Sequence, residues 1–317
     1  MPLSSEQLAA LPLFAELPLL ESLGIPHSWG LLDGELGTLE LLTEEAVAHA
    51  ATLVRIGRSI GLNLPLDFLD PPLFGRAPLA HEIFYADRNT VDDRLDAFYP
   101  QASSQWDGFR HVGAREYGFY GGVQEEFTPG TGPLGIQSWA ECGIAGRGVL
   151  LDIPALRTRQ GRPYAPTEGE PIEVDDLEQA ASDQGVEFRS GDILCVRTGW
   201  VQHYREADAT SRWELALNPH TNGLAGDAGM AEWLWNRRFA AIATDNPSIE
   251  VNPTDPARGF LHRRLLPSLG FALAELLDLE ALNSACTEDS RWDFLFAAAP
   301  LNLRGGVGST ANALALR

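Results

Sequence analysis

Four polar side chains recur at offsets that suit chemistry: Gln101, Gln105, Asp107 and His111, in the stretch Gln-Ala-Ser-Ser-Gln-Trp-Asp-Gly-Phe-Arg-His at 101–111. In an extended segment alternate side chains share a face, which would align Gln105, Asp107 and His111. A carboxylate, an imidazole and amide oxygens converging from one such segment make either a metal site or an acid–base site. The same spacing fits an edge strand with a capping aspartate and a surface histidine, so spacing alone leaves both readings open.

A second stretch supplies further candidates. Residues 262–275 read His-Arg-Arg-Leu-Leu-Pro-Ser-Leu-Gly-Phe-Ala-Leu-Ala-Glu. Pro267 and Gly270 interrupt it, so His262 and Glu275 fall on neighbouring elements that are free to converge.

Both stretches carry a resemblance to the cyclase superfamily, which includes bacterial kynurenine formamidase and isatin hydrolase. Its pattern His-x-Gly-Thr-His-x-Asp-x-Pro-x-His, laid over the chain without gaps, falls on Gln101, Ser103, Ser104, Gln105, Asp107, Phe109 and His111. Asp107 and His111 match it; glutamines stand where the pattern has its two metal-binding histidines. The second stretch resembles the family's histidine with Arg-x-Leu-Leu, glycine turn and glutamate, followed here by Leu276, Leu277 and Asp278. Trp29, Gly37, Leu42-Thr43, Gly146–Asp152, Gly191–Leu194, Arg197–Trp200 and the closing Ala299–Ser309 extend the likeness to the longer members over nearly the whole chain.

The resemblance implies an α/β protein with the swivelling β/β/α fold of that superfamily: one domain over 1–317, with an N-terminal helical arm, 1–42, packed on it. It implies a metal-dependent hydrolase that activates water to cleave an amide, formamide or lactone bond of a small cyclic or aromatic acid derivative. Asp107, His262 and Glu275 would hold one divalent ion per chain, zinc or manganese, with Gln105 and Gln101 as amide-oxygen ligands. His111 would serve as general base and acid. Trp106, Tyr120 and Arg197 are the candidates at the substrate, Arg197 as the partner of a substrate carboxylate. A homodimer or higher homo-oligomer is implied as well. Formamide hydrolysis competes with lactone opening, as in trans-dienelactone hydrolase, a longer relative. The rival reading is a non-catalytic small-molecule-binding protein whose metal centre has decayed. The glutamines motivate it, and the joint survival of Asp107, His111, His262 and Glu275 opposes it.

The elements that must position these residues are partly legible. Thr43 can cap a helix with Glu44 and Glu45 in its first turn, and Val47, Ala50, Ala51 and Val54 give that helix a core-facing stripe ending near Gly57 and Gly61. Ile83–Tyr85 reads as a strand and the charged run Asp92–Asp96 as a solvated turn. Gly146–Asp152, Ile193–Arg197 and Phe239–Ala243 read as buried strands. Asp175 and Glu178 suggest a capping box ahead of a helix that buries Leu177, Ala180 and Ala181. Trp233–Trp235 reads as helix core. Strands and helices alternate throughout, which by itself favours α/β.

Composition narrows the function classes. The 317 residues carry a net charge of −21, which argues against nucleic acid or an anionic membrane as partner. The chain contains no lysine, so Schiff-base chemistry and a Walker-type phosphate loop are excluded. Cys142, Cys195 and Cys286 are far apart and form neither a thiolate metal motif nor a disulfide framework, which fits a reducing cytoplasmic setting. Residues 1–24 hold acidic but no basic side chains and do not resemble a secretory signal. Gly305-Gly-Val-Gly308 lacks the strand–turn–helix context of a dinucleotide site. His81 and His220 read as structural or loop residues, and Cys142 has no neighbouring base.

Overall fold

The structure, a computed structural model, describes Leu3, Gln7, Leu8 and residues 10–317. Positions 1, 2, 4–6 and 9 of the expected arm lie outside the described residues. A nine-stranded mixed sheet organises the chain. Its order is Gly308–Thr310, Gln105–Asp107, Ala272–Glu275, Ala241–Thr244, Ile193–Arg197, Ile144–Asp152, Asp293–Ala298, Ala313–Leu316 and Ser59–Gly61. The four central strands, from Ala272–Glu275 to Ile144–Asp152, run parallel; the flanking ones are antiparallel. Central parallel strands are covered on both faces and therefore read as unbroken apolar runs. Ile193–Arg197 and Ala241–Thr244 are buried at every position.

The helix Val174–Gln184 packs on the sheet with Leu177, Ala180 and Ala181 buried, as the stripe in the sequence requires. Its capping box lies two residues earlier than expected, formed by Glu173 and Asp176. Near the start of the chain Thr43 does cap a helix, its Oγ1 accepting from Ala46 N at 3.1 Å. That helix, Glu44–Ala51, stops after two turns, and Ala51 and Val54 are exposed rather than core-facing. The apolar spacing continues past the point where the chain leaves to pair Ser59–Gly61 at the sheet edge, so Gly57 and Gly61 do not end the helix.

The charged run is also not a turn. Val91–Asp96 pairs antiparallel with Ala80–Tyr85 in a hairpin whose twelve strand residues are all exposed. Cross-strand ion pairs, His81 to Asp93 and Arg94 to Glu82, replace a core there. Among the described residues no helix is long and apolar enough to cross a membrane.

Residues from the expected arm brace the segment that leads into Glu275. Ser28 N donates to Ser268 O at 3.0 Å, Trp29 Nε1 to Pro267 O at 2.7 Å, and Thr38 N to Gly270 O at 2.8 Å.

The Gln105–Asp107 strand shows how alternation divides labour. Gln105 and Asp107 face one side, and Trp106 faces the other. Trp106 is fully buried, donates Nε1 to Ala311 O at 2.9 Å and meets Trp139 and Phe296 edge-on, each with ring centroids 6.1 Å apart. It is therefore a core anchor and not, as expected, a residue at the substrate. Trp106→Ala should cost about 3–5 kcal/mol, the usual range for emptying such a site. Denaturant unfolding would measure this; a loss below about 1 kcal/mol would show that the anchor is not needed.

Candidate metal centre

Register brings the candidate ligands together. In the pairing of Gln105–Asp107 with Ala272–Glu275, Gln105 lies opposite Glu275 and Asp107 opposite Leu273. On its other side the same short strand pairs Gly308–Thr310, with Gly308 opposite Asp107. Glycine is required at 308, where a Cβ would fall 2.6 Å from Trp106 O. The short helix Leu261–Arg263 carries His262 and continues into one π-helical turn, Arg264–Leu269, holding Pro267. Gly270, at φ +71°, ends that turn and aims the chain into the Ala272–Glu275 strand. Isolated π turns recur at functional sites.

The resulting cluster is buried throughout. One donor atom each from Asp107, His262 and Glu275 lies within 4.8 Å of the other two. His262 Nε2 is 3.1 Å from Glu275 Oε1 and 3.6 Å from Asp107 Oδ2. Gln105 Nε2 donates to Glu275 Oε2 at 2.6 Å and reaches Asp107 Oδ1 at 3.5 Å. Three buried oxygens, Gln105 Oε1, Asp107 Oδ2 and Glu275 Oε1, accept no hydrogen bond from the protein. The Glu275 Oε1 contact with His262 is thus an ion pair lacking hydrogen-bond alignment. Buried acceptors are normally satisfied, so three orphans in one place need an explanation.

His262 is held from behind by Glu250, whose Oε2 accepts from His262 N at 3.0 Å and contacts Nδ1 at 2.9 Å. With Nδ1–H committed to a carboxylate, Nε2 points at the orphaned oxygens, the arrangement that orients metal-binding imidazoles. Phe260 stacks on the same ring at 5.4 Å. Ile249 (φ +52°) and Leu276 (φ +54°) flank Glu250 and Glu275 in the left-handed region. For a β-branched residue such as Ile249 that conformation is a marked outlier.

Charge follows from burial and proximity. Burial opposes ionisation of Asp107, but His111, His262 and Arg76 together outweigh it and hold its carboxyl below the usual value. Glu275 goes the other way: burial and then the Asp107 charge push it up to about 7, against the pull of His262. Burial alone would lower His262, yet Glu250 and the contacts with Asp107 and Glu275 carry it well above an ordinary imidazole.

His111 follows the strand in a tight turn, its N donating to Gly108 O at 2.9 Å, and its Nε2 lies 3.7 Å from Asp107 Oδ2. Its ring is partly exposed and lines a cavity of about 300 Å³ together with Gln105, Glu275, His262, Glu250 and Arg76. A larger apolar groove of about 660 Å³ lies near Leu42, Val47 and Cys142, away from the charged cluster.

The remaining expectations are corrected by position. Gln101 sits on the separate Pro100–Ala102 turn with its amide against Gly308 and does not line the cavity. Tyr120 is buried under Gly270 against Phe109, its hydroxyl 3.3 Å from Ser28 Oγ, and supports the turn instead of meeting a substrate. Arg197 is spent on Asp152 at 3.0 Å, Glu280 at 2.9 Å and Gln202 at 2.7 Å; its strand is separated from that of Glu275 by Ala241–Thr244, and it does not line the cavity. Glu250 and Arg76 were not anticipated. Each lies in a Pro-bearing loop, and no periodic spacing links either to its neighbours in space.

The family model described as Putative cyclase matches residues 60–251. A crystal structure of a novel cyclase is similar over 92% of this chain and 99% of its own, at 30% identity and a TM-score of 0.81. Isatin hydrolase A from Labrenzia aggregata bound to benzyl benzoate shares the fold at 16% identity and a TM-score of 0.59, covering 86% of this chain and 97% of that one. Isatin hydrolase A from Ralstonia solanacearum does so at 18% and 0.59, covering 84% and 95%. No curated protein matches the sequence.

The cation-free cluster favours protons, and stability should show it. Burial and the Asp107 charge push Glu275 up to about 7 in the fold, against 4.5 for an unperturbed glutamate. The folded state therefore binds the extra proton between these values, and stability falls as pH rises through that window. Chelator-treated protein should melt at progressively lower temperature from pH 4.5 to about 7, and Glu275→Gln should flatten the slope. Equal slopes in both proteins would refute the assignment.

Proposed function

The chain belongs to the cyclase family, and on that premise we propose that it is a metal-dependent hydrolase cleaving a carbonyl–nitrogen or carbonyl–oxygen bond. The substrate class is a small cyclic or aromatic acid derivative. The observation that carries this reading is the convergence of orphaned Asp107 Oδ2 and Glu275 Oε1 on His262 Nε2, with the Gln105 amide packed against both carboxylates. A divalent cation answers their unmet bonding, and one nitrogen among oxygens suits zinc or manganese.

Asp107, His262 and Glu275 would hold the ion, with the Gln105 amide oxygen as fourth donor. Bound there, it would lower the pKa of a water molecule and polarise a substrate carbonyl. The chain's own residues do the rest. Glu250 fixes the His262 tautomer. His111, reachable from the cavity and beside Asp107, takes the proton from water and returns it to the leaving nitrogen or oxygen. Phe260 and Phe74 present apolar surface to a planar ring. A volume near 300 Å³ is at the small end of ligand pockets and suits a one- or two-ring substrate. The same proposal includes a homodimer or higher assembly, as the family resemblance implies.

A binding protein with a decayed centre is the alternative. Its support is the 2.6 Å bond from the Gln105 amide nitrogen to Glu275, which satisfies one carboxylate oxygen without a cation.

Metal analysis of protein purified without chelator separates the two. About one equivalent of zinc or manganese per chain is expected, lost in Asp107→Asn and His262→Ala. His111→Ala should retain the metal while turnover of an aryl formamide or an unsaturated lactone falls about 10²–10⁴-fold. Glu250→Gln should weaken metal binding about 10–100-fold, read by competition with a chromophoric chelator. Metal well below one equivalent, with no rate on either substrate, would leave the binding-protein reading.

A further inference from the structure

We propose that this cavity selects an anionic substrate, a carboxylate carried on a planar ring, and that Arg76 is the residue that recognises the carboxylate. The inference rests on the hydrolase reading and names its substrate class.

Arg76 differs from the chain's ion-paired buried arginines, and from Arg263, which is also without an ion-pair or hydrogen-bond partner for its guanidinium among the described residues but does not line the cavity. Arg147 is paired with Asp192 and Asp293, Arg157 with Asp176 and Glu170, and Arg197 with Asp152 and Glu280. Arg76 lines the cavity half-buried, and among the described residues its guanidinium has no ion-pair or hydrogen-bond partner. Five fixed donors facing a cavity suit the two oxygens of a carboxylate, a match that the guanidinium fork makes better than any other side chain.

The local backbone holds it there. Arg76 N donates to Leu73 O at 3.3 Å, closing a turn in which both Phe74 (φ +58°) and Gly75 (φ +70°) are left-handed. Leu73 is buried and anchors that turn, whereas Phe74 stays 48% exposed although it lines the cavity. The Phe74 ring lies 5.3 Å from Arg76 Cζ. A strained turn that presents an aromatic face and an unpaired guanidinium to the same cavity is suited to clamp a ring bearing an anion.

Charge balance agrees. The three carboxylates of Asp107, Glu250 and Glu275 are matched by a divalent cation plus Arg76 when His262 is neutral. An anionic substrate then meets no net repulsion. Without Arg76 the site would be left negative. Burial lowers the Arg76 pKa while Asp107 and Glu275 pull it back up, so the guanidinium senses the metal carboxylates without touching them.

The test uses full-length, metal-loaded protein with benzoate and benzamide as calorimetric probes. Benzoate should bind the wild type and weaken at least tenfold in Arg76→Met, with benzamide unchanged. Arg76→Lys, which keeps the charge but not the fork, should lie between, and it decides the matter should Arg76→Met fail to fold. Failure of benzoate to bind the wild type, equal benzoate affinity in wild type and variant, or equal loss of both probes would overturn the proposal. The last pattern would mark Arg76 as an internal counter-charge for Asp107 and Glu275.

Turnover of formanilide and its ortho-carboxylate separates this inference from the hydrolase reading. A lower KM for the carboxylate in the wild type, abolished in Arg76→Met, supports both. Turnover of both compounds with no Arg76-dependent preference sinks the inference alone. Silence on both, with benzoate still requiring Arg76, sinks the hydrolase reading alone.

Discussion

Two carboxylates, Asp107 and Glu275, sit side by side in the interior of a sheet, with a third, Glu250, one imidazole away. Like charges at such separations in a low-dielectric interior repel strongly, and an unpaired buried charge is among the costliest features a fold can carry. His262 alone stands between all three. Much else in the structure follows from having to hold that arrangement. The Gln105–Asp107 strand is short but paired on both sides, which fixes its register. A slip by one residue would turn Trp106 into the charged cluster and Asp107 into the aromatic core.

The backbone bears part of the cost. Ile249 and Leu276 adopt left-handed conformations beside Glu250 and Glu275, each costing on the order of 1–3 kcal/mol. Leu276 N is nonetheless bonded to Asn246 O at 3.1 Å and Leu224 N to Ile249 O at 2.9 Å, so neighbouring segments over-determine both residues. The central strands around them are wholly buried. A cluster whose charged side chains come from separate segments needs that rigidity to stay together.

What the sequence made legible was what has a period or a motif. Unbroken apolar runs marked the parallel strands, and Leu177, Ala180 and Ala181 marked one face of a helix. Asp107, His262 and Glu275 were found because two stretches resemble a family pattern, and the chain brings their donor atoms within 4.8 Å. Period failed where length was the question. The stripe from Val47 to Val54 is sound as spacing, but the helix beneath it ends at Ala51. Chemistry failed where a partner was distant: Arg197 looks free in sequence and is held by Asp152 and Glu280 in space. Glu250 and Arg76 were silent because a loop residue's neighbour is set by tertiary structure, not by spacing.

The glutamines at 101 and 105 bear on the site differently once geometry is known. Gln101 lies off the cavity, so the departure from the family pattern there falls outside the cluster. At 105 an amide stands where the pattern has an imidazole, and both groups are neutral as ligands. The exchange weakens a donor but leaves the sum of charge untouched. Asp107, Glu250 and Glu275 still share His262, so the cluster keeps its demand for positive charge. Moreover, Gln105 uses its nitrogen on Glu275 at 2.6 Å and leaves its oxygen unpartnered. That orientation adds a third unpartnered oxygen to the two from the carboxylates, while the amide nitrogen already satisfies the other Glu275 oxygen.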